Sequence, residues 1–204
     1  MNPPLVPLFP LNLFPLPGET VALHVFEERY QALFRRLEAM ELEEFGIPFV
    51  DGDSLTHLGG LMRLVFASEP DENGFRDAAV KCVGLFKLAS PVHIPEPDEN
   101  PPYPIGEIIR WSDWKNYELS ASALSDFSKA EQLQQTHESD QFECMPGTGL
   151  IQTLIRHQIT PKNRYDILNA PDEQCRNDQI NNAARFSFLI AEQEARRNKG
   201  YFPN

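Results

Sequence analysis

The stretch from Pro7 to Tyr30 constrains the fold of this chain more than any other part of its sequence. Apolar residues alternate with prolines at its start, a Pro-Gly pair follows, and a second apolar run leads directly into a helical pattern. Proline has no N–H for a sheet ladder, so these prolines belong at an edge, at a bulge or in a turn. The order strand, bend, strand, helix is therefore predicted, and no residue in it indicates catalysis. The prolines concerned are Pro7, Pro10, Pro15 and Pro17.

Three short motifs follow one another in this stretch: PLFPL at Pro7 to Leu11, LFP ahead of Gly18, and LHVFEERY at Leu23 to Tyr30. Together they resemble the start of the Lon protease N-terminal domain, also called the LON substrate-binding domain. Two differences are visible: residues 16–17 lengthen the bend, and Ala22 stands where the family pattern often has proline. Neither difference touches a chemical group, so the resemblance implies that the family fold is kept.

Size and cysteine content indicate a chain that folds without disulfide or metal staples. A chain of this length buries roughly 70% of its unfolded surface. The cysteines, Cys82, Cys144 and Cys175, are odd in number and form no CxxC pair, which is typical of reduced thiols. The first residues have no basic and apolar leader pattern, and no apolar run reaches the ~18 residues of a membrane span. We expect a soluble cytoplasmic protein with no membrane partner.

The charge balance argues against nucleic acid as a partner. The chain has 18 Lys and Arg against 30 Asp and Glu, a formal net charge of −12. Affinity for nucleic acid comes largely from cationic side chains that displace counterions from the phosphates. We therefore expect no nucleic-acid partner, and solubility is a sufficient explanation for the acidic surface.

Hydrophobic periodicity predicts one helix and a series of strands in the first half. From Glu27 to Met40, apolar side chains recur at steps of three and four residues, which gives a single apolar stripe. Two apolar runs on either side of an acidic turn indicate an antiparallel hairpin. The predicted strands after the helix are Phe45 to Val50, Leu58 to Ala67, Ala78 to Leu88 and Tyr103 to Trp111.

The chain changes to helical patterns after Trp114. By themselves the patterns indicate an antiparallel β-rich domain, residues 1–114, and a helical domain, residues 115–204. The resemblance implies a more specific α+β fold. In it, a PUA-like open antiparallel β-barrel carries an inserted helix and is followed by a C-terminal helical bundle. The predicted helices of the second domain cover residues 117–133, 149–158 and 173–197, with a further one that begins at Thr160.

No catalytic pattern is supported by the sequence. The chain has no Gly-x-x-x-x-Gly-Lys-Ser/Thr loop for nucleotide phosphates, and its histidines form no zinc motif. His137 to Asp140 contains the residue types of a triad, but sequence neighbours in a polar link rarely converge. Ser128 and Lys129 are adjacent on a predicted helix and point apart. We expect no catalytic residue, no metal ligand and no cofactor.

Four residues at the predicted strand-to-helix junction are candidates for a site. His24 lies three residues before Glu27, a carboxylate able to orient an imidazole, although a packing role explains both residues as well. Arg29 and Tyr30 follow, and we expect Arg29 to hydrogen-bond carbonyls or a carboxylate within the barrel. We interpret the residues of the motif stretch as structural: Pro10, Gly18, His24, Glu27, Arg29 and Tyr30.

Trp111 and Trp114 lie three residues apart at the predicted domain junction. Two interpretations apply to them: a wedge that fixes the two halves together, or an aromatic shelf that binds a partner. The tail of residues 198–204 has three interpretations, which are packing on the bundle, disorder, and insertion into a neighbouring molecule. The sequence thus leaves the oligomeric state open.

The resemblance implies a non-catalytic module that binds proteins or peptides. Full-length Lon enzymes add ATPase and peptidase modules after this region, and these 204 residues contain neither pattern, as in a stand-alone form of the domain. The expected function is recognition of protein or peptide clients through apolar surface, in support of proteolysis or protein quality control. Two other functions stay open: an uncharacterised hydrolase that uses the His24–Glu27 region, and RNA binding through the PUA-like barrel.

Overall fold

The computed structural model describes residues 3–96, 98–135 and 149–198, apart from the side chains of Gln135 and Asn198. The described residues divide into two compact units, with the boundary between Asp113 and Trp114. The first unit is a curled antiparallel sheet with a helix, and the second is built of helices. Three features of the sequence lie outside the described residues: the stretch His137 to Asp140, Cys144, and the tail after residue 198.

The strands of the first unit are β1 (Leu5–Pro7), β2 (Thr20–Val25), β3 (Phe45–Asp51), β4 (Ser54–Ala67), β5 (Arg76–Leu88) and β6 (Ile105–Trp111). The sheet follows the order β1-β6-β5-β4-β3, and β2 pairs with the first half of β5. All of these pairings are antiparallel. β4 and β5 form the predicted hairpin around the acidic turn, which places β2 and β6 beside different halves of β5.

The helix predicted from the apolar stripe is present as α1, Glu28–Glu38. Its inner face joins a core cluster that includes Phe9 from the first segment, Val25 of β2 and Val80 of β5. Each large apolar side chain that becomes fully buried contributes about 1.5–3 kcal/mol to stability, so the stripe fastens the helix to the sheet. The buried side chains of α1 are Tyr30, Gln31, Leu33, Phe34 and Leu37.

The segment that follows β1 runs parallel to β3. The backbone N–H of Phe9 donates to the carbonyl of Gly46 across 2.8 Å, and the N–H of Val50 donates to the carbonyl of Leu11 across 2.9 Å. Pro10 lies between Phe9 and Leu11, where the N–H of any other residue would point away from β3. Proline at this position therefore removes no hydrogen bond from the pairing with β3. The parallel pairing was not predicted from the sequence.

The second unit contains α2 (Ala121–Gln135), α3 (Leu150–Arg156), α4 (Pro161–Leu168) and α5 (Glu173–Asn198). α5 packs along α2, and small or aromatic side chains such as Ala123, Phe127 and Ala184 are buried in this unit. Thr160 is the N-cap of α4, because its hydroxyl accepts a hydrogen bond from the backbone N–H of Asn163 at 3.3 Å. Each predicted helix is present, with limits that differ by a few residues.

The predicted α+β fold class is confirmed by a curled antiparallel sheet with an inserted helix, followed along the chain by a helical unit. β4 begins at Ser54 rather than at the predicted Leu58, because its first residues pair with β3 across a turn at Gly52. Within the described ranges, no helix combines the length and the apolar character that a membrane crossing needs.

Candidate functional site

A pocket with a volume of about 220 Å³ opens in the first unit, between β2 and the segment that runs beside β3. We call it the β2 pocket. Its lining is apolar except for one imidazole, one carboxylate and one phenol, and it includes no Lys or Arg. The lining residues are Phe9, Leu11, Leu13, Ala22, Leu23, His24, Phe26, Glu27 and Tyr30.

The turn before β2 fixes where that strand begins. Gly18 has a φ of +100°, a conformation that glycine adopts without a steric penalty. Its N–H donates to the carbonyl of Cys82 on β5 across 2.9 Å. The carboxylate of Glu19 accepts from the N–H of Leu16 across 2.7 Å, and the Glu19 N–H donates back to the Leu16 carbonyl. These hydrogen bonds stabilise the bend and set the register in which β2 pairs with β5.

One edge of β2 faces away from β5. The carbonyl of Glu19 accepts a 2.8 Å hydrogen bond from the N–H of Cys82, and backbone groups alternate from there along an antiparallel pair. The N–H and C=O groups of Thr20, Ala22 and His24 therefore point to the opposite edge. Within the described residues, β5 is the sole strand that pairs with β2, so no described strand occupies this edge.

Aromatic side chains form the floor of the β2 pocket. The rings of Phe9 and Tyr30 are stacked with centroids 3.9 Å apart, and Phe34 meets Phe9 edge-on at 6.4 Å. Burial raises the pKa of the Tyr30 phenol, while the nearby Arg29 charge acts in the opposite direction. The phenol is thus neutral at physiological pH, and the floor presents uncharged aromatic surface.

Three rings at the mouth of the pocket form what we call the aromatic rim: His24, Phe26 and Phe75. The His24 and Phe26 rings are stacked with centroids 6.1 Å apart, and Phe75 meets each of them edge-on, at 6.1 Å and 6.4 Å. Phe26 is 55% exposed, so a large apolar side chain faces solvent here. The Nδ1 atom of His24 lies 2.8 Å from Oδ1 of Asp77, which fixes the orientation of the imidazole.

The structure brings three of the sequence candidates to the pocket and leaves the others outside its lining. His24, Glu27 and Tyr30 line the pocket, and the Arg29 guanidinium lies 4.8 Å from the centre of the Tyr30 ring. Pro10 and Gly18 shape the pocket through the backbone on either side of it.

Two side-chain contacts that were considered from the sequence are different in the structure. Glu27 does not orient His24; it accepts from Nε and Nη2 of Arg29, at 2.9 Å and 2.5 Å, and Asp77 takes its place beside the imidazole. The expectation for Arg29 is corrected in turn, because its carboxylate partner lies two residues away on the exposed surface rather than within the barrel. The sequence alone did not indicate that β5 pairs with β2, so Asp77 of β5 was not considered as a partner of His24.

Trp111 and Trp114 belong to different units. Trp111 ends β6 and is 7% exposed, its indole N–H donates to Oδ2 of Asp113 at 3.1 Å, and Lys87 Nζ lies 4.6 Å from its ring centre. Trp114 lies in a short 3-10 helix, with Lys115 Nζ 5.7 Å from its ring. The aromatic shelf stays a prediction.

Sequence reasoning missed several residues of the site. Phe75 and Asp77 lie about fifty residues after the motif and reach the pocket through the pairing of β2 with β5. Leu13 and Ala22 carry no distinctive chemistry, although Ala22 was noted as a departure from the family pattern. For Ala22 and Asp77, the available signal is the alternation along β2 and β5, once the register of the two strands is known.

The pocket has the chemistry of apolar binding rather than of bond cleavage. Its lining contains no serine, threonine, cysteine or lysine side chain. The nearest thiol by strand pairing, Cys82, is buried on β5, and this burial raises its pKa to about 12. Within the described ranges, no three His, Cys, Asp or Glu side chains are grouped as metal ligands would be.

No model of a known protein family matches this sequence, and no curated protein matches it. Solved structures do match it. A Lon N-terminal domain protein from Xanthomonas campestris aligns with a TM-score of 0.63 and 19% identity, over 87% of this chain and 96% of that one. The N-terminal domain of the Lon protease of Mycobacterium avium complex aligns with a TM-score of 0.62 and 13% identity, over 89% of this chain and 98% of that one. At these identities the likeness concerns the fold.

Proposed function

We propose that this chain, which has the Lon N-terminal domain fold, is a recognition module that binds extended segments of other proteins at the β2 pocket. The segment pairs with the outward edge of β2 and places one large apolar side chain in the pocket. The observation that carries the proposal is the position of the pocket directly beside a strand edge that no described strand occupies. The fold shared with Lon N-terminal domains supports the same class of function.

The site offers two sources of binding energy that suit an extended segment. Full burial of a phenylalanine or leucine side chain contributes about 1.5–3 kcal/mol. Each backbone hydrogen bond to the edge of β2 adds about 0.5–1.5 kcal/mol net. Ordering a flexible segment offsets part of this gain, so we expect dissociation constants in the micromolar range. Such a site accepts many sequences, because the backbone bonds read no side chain.

The pocket suits a peptide better than RNA or a hydrolysed substrate. Recognition of RNA uses cationic groups for phosphates, whereas the lining of the β2 pocket has a carboxylate and no Lys or Arg. Hydrolysis through a nucleophile needs a hydroxyl or thiol beside a base, and His24 faces Asp77 with no such group in the lining.

The proposal is tested with the full chain and a pair of fluorescent peptides. Each is a ten-residue Ser/Thr peptide with neutral flanks, one with a central phenylalanine and one with a central alanine. We expect the phenylalanine peptide to bind in the micromolar range by fluorescence anisotropy, and the alanine peptide to bind at least about tenfold more weakly. Equal affinity for both peptides would overturn the proposal.

The chain offers a matched pair of variants for this measurement. Phe26→Ala removes a 55% exposed ring at the pocket, and Phe66→Ala removes a 61% exposed ring that does not line it. We expect Phe26→Ala to weaken binding by about five- to tenfold and Phe66→Ala to leave it unchanged. If both variants weaken binding equally, the peptide binds through general surface hydrophobicity and not at the β2 pocket.

Pairing with the edge of β2 is tested on the peptide itself. N-methylation of alternate amides on one edge of the phenylalanine peptide removes donors without changing the anchor side chain. We expect one of the two alternate methylation patterns to abolish binding and the other to be tolerated, because the two edges of a strand are distinct. If both patterns are tolerated, the peptide does not bind by strand addition.

A further inference from the structure

The charges around the mouth of the β2 pocket are strongly unbalanced. The two stretches that contain the three rings of the aromatic rim, residues 19–30 and 69–77, carry seven carboxylates and two arginines. Both arginines already have carboxylate partners, since Arg29 binds Glu27 and Arg76 binds Glu38. No arginine of these stretches is therefore left to balance the exposed carboxylates.

Four exposed carboxylates lie close in the chain to the aromatic rim, and we call them the acidic margin: Glu28, Glu69, Glu72 and Asp77. Glu28 follows Phe26 by two residues, in the first turn of α1. Glu69 and Glu72 lie in the β4–β5 turn that leads to Phe75. Within the described residues, no lysine or arginine forms an ion pair with any of the four.

Asp77 belongs to the acidic margin and also contacts His24 of the aromatic rim. Its Oδ1 atom lies 2.8 Å from His24 Nδ1, yet its side chain is 81% exposed, so its other oxygen is open to solvent. Phe26 and Phe75 each contact the His24 ring and meet each other at an interplanar angle of 76°, and Phe26 is exposed while Phe75 is half-buried. A cation above these rings gains both from the ring quadrupoles and from the carboxylate.

We propose that the segment bound at the β2 pocket carries a lysine or arginine next to its apolar anchor, on the side that lies over the aromatic rim and beside Asp77. This inference rests on the proposed function, because it assigns the charge of the same occupant. The anchor fills the pocket, and the cation meets Phe26, Phe75 and the acidic margin. Acidic segments with the same anchor are disfavoured, because their charge lies against exposed carboxylates.

Four peptides test the proposal with the full chain. All share a central phenylalanine and Ser/Thr filler, with two neutral flanks, a lysine before the anchor, a lysine after it, or a glutamate on both sides. We expect one lysine peptide to bind about three- to tenfold more tightly than the neutral peptide, and the glutamate peptide to bind more weakly than either. This preference shrinks when NaCl is raised from about 50 to 300 mM, because exposed charges are screened.

A charge-neutral variant locates the effect on the protein. Asp77→Asn keeps an oxygen for His24 but removes the charge, and we expect it to reduce the ratio of lysine-peptide affinity to neutral-peptide affinity, both measured on the same variant. Asp53→Asn is the matched control, because Asp53 is exposed in the β3–β4 turn at the opposite end of β4. If Asp77→Asn and Asp53→Asn reduce the preference equally, net charge and not the rim selects the peptide, and the inference is overturned.

The outcomes separate this inference from the function on which it rests. If the neutral phenylalanine peptide binds and the lysine and glutamate peptides bind equally well, the charge preference is wrong and the proposed function stands. If no phenylalanine peptide binds, the proposed function itself fails.

Discussion

The side-chain amide of Gln31 donates from Nε2 to the backbone carbonyl of Phe26 across 3.0 Å. Gln31 lies in α1 and is 8% exposed, which is unusual for an amide. Its Oε1 atom packs so close to Gly74 that a Cβ there would lie 2.9 Å from it. One buried side chain thus links α1, Phe26 at the end of the segment that leads into it, and the turn before Phe75.

Gln31→Met tests whether this link positions the aromatic rim. Methionine keeps the length of the side chain but has no donor, so the part-buried carbonyl of Phe26 loses its partner at a cost of about 1–3 kcal/mol. We expect a lower free energy of unfolding in urea and weaker binding of the phenylalanine peptide. Arg35→Met, an exposed position one turn along α1, is the control. Unchanged peptide binding in Gln31→Met would show that the rim does not depend on this bond.

Gly59→Ala is expected to destabilise the first unit. A Cβ at Gly59 would lie 2.4 Å from the carbonyl oxygen of Ile47 and 2.6 Å from Cζ of Phe86, and the backbone contact cannot move freely. Overpacking of this kind costs about 1–3 kcal/mol or more. Gly84→Ala is the matched control on β5, because no atom lies within 4 Å of its Cβ position. Chemical denaturation measures both, and equal stability of the two variants would contradict the prediction.

His157 is expected to make the second unit less stable as the pH falls. Burial lowers the pKa of this imidazole, and Glu131, 3.3 Å from its Nε2, offsets the effect only in part. A folded-state pKa below the unfolded one means that the unfolded state binds the proton more readily. The stabilising contribution is therefore present above the unfolded pKa of about 6.5 and is lost as the pH falls through the folded value.

Urea denaturation between pH 8 and pH 5 measures this effect on the free energy of unfolding. We expect His157→Phe, which keeps a ring against Phe127, to show a shallower loss of stability towards low pH than the unmodified chain. His57→Gln, at an exposed position on β4, serves as the control for the loss of one imidazole. An unchanged slope in His157→Phe would mean that this imidazole does not drive the pH dependence.

Cys82 is expected to resist alkylation in the folded chain. Its thiol is buried and its pKa is raised to about 12 by that burial, so neither access nor thiolate is available near neutral pH. In a chain with Cys144→Ser and Cys175→Ser, iodoacetamide at pH 8 should modify Cys82 in urea and not in buffer. Mass spectrometry measures the modification. Rapid labelling in buffer would show that the first unit opens near β5.

Local patterns in the sequence were enough to predict the main elements of both units. The apolar stripe of α1 repeats at helical spacing, and the two runs around the acidic turn alternate as strands do, so each pattern predicts its element from neighbouring residues. The resemblance of Pro7 to Tyr30 added the arrangement of these elements. The parallel pairing of Leu8 with Gly46 was missed, because apolar periodicity does not indicate which strand lies alongside.

The candidate site was predicted only in part. His24, Glu27 and Tyr30 were singled out from the motif, but as structural residues, and Glu27 was the carboxylate considered as a partner of His24. Asp77 stands there instead, 53 residues along the chain, because the antiparallel register of β2 and β5 sets His24 opposite it. A contact of that separation follows from strand register, which no local pattern specifies.

The sequence by itself determined that residues 7–30 form a bend, a strand and the start of a helix, because proline, glycine and apolar spacing act between near neighbours. Tertiary structure decided which strand pairs with this stretch and which pocket it lines. Pairing with β5 on one edge leaves the other edge of β2 beside the pocket, and it brings Phe75 and Asp77 to the mouth. The physical reason is that pockets and strand edges arise from contacts between distant residues, whereas helices and turns arise from contacts between near ones.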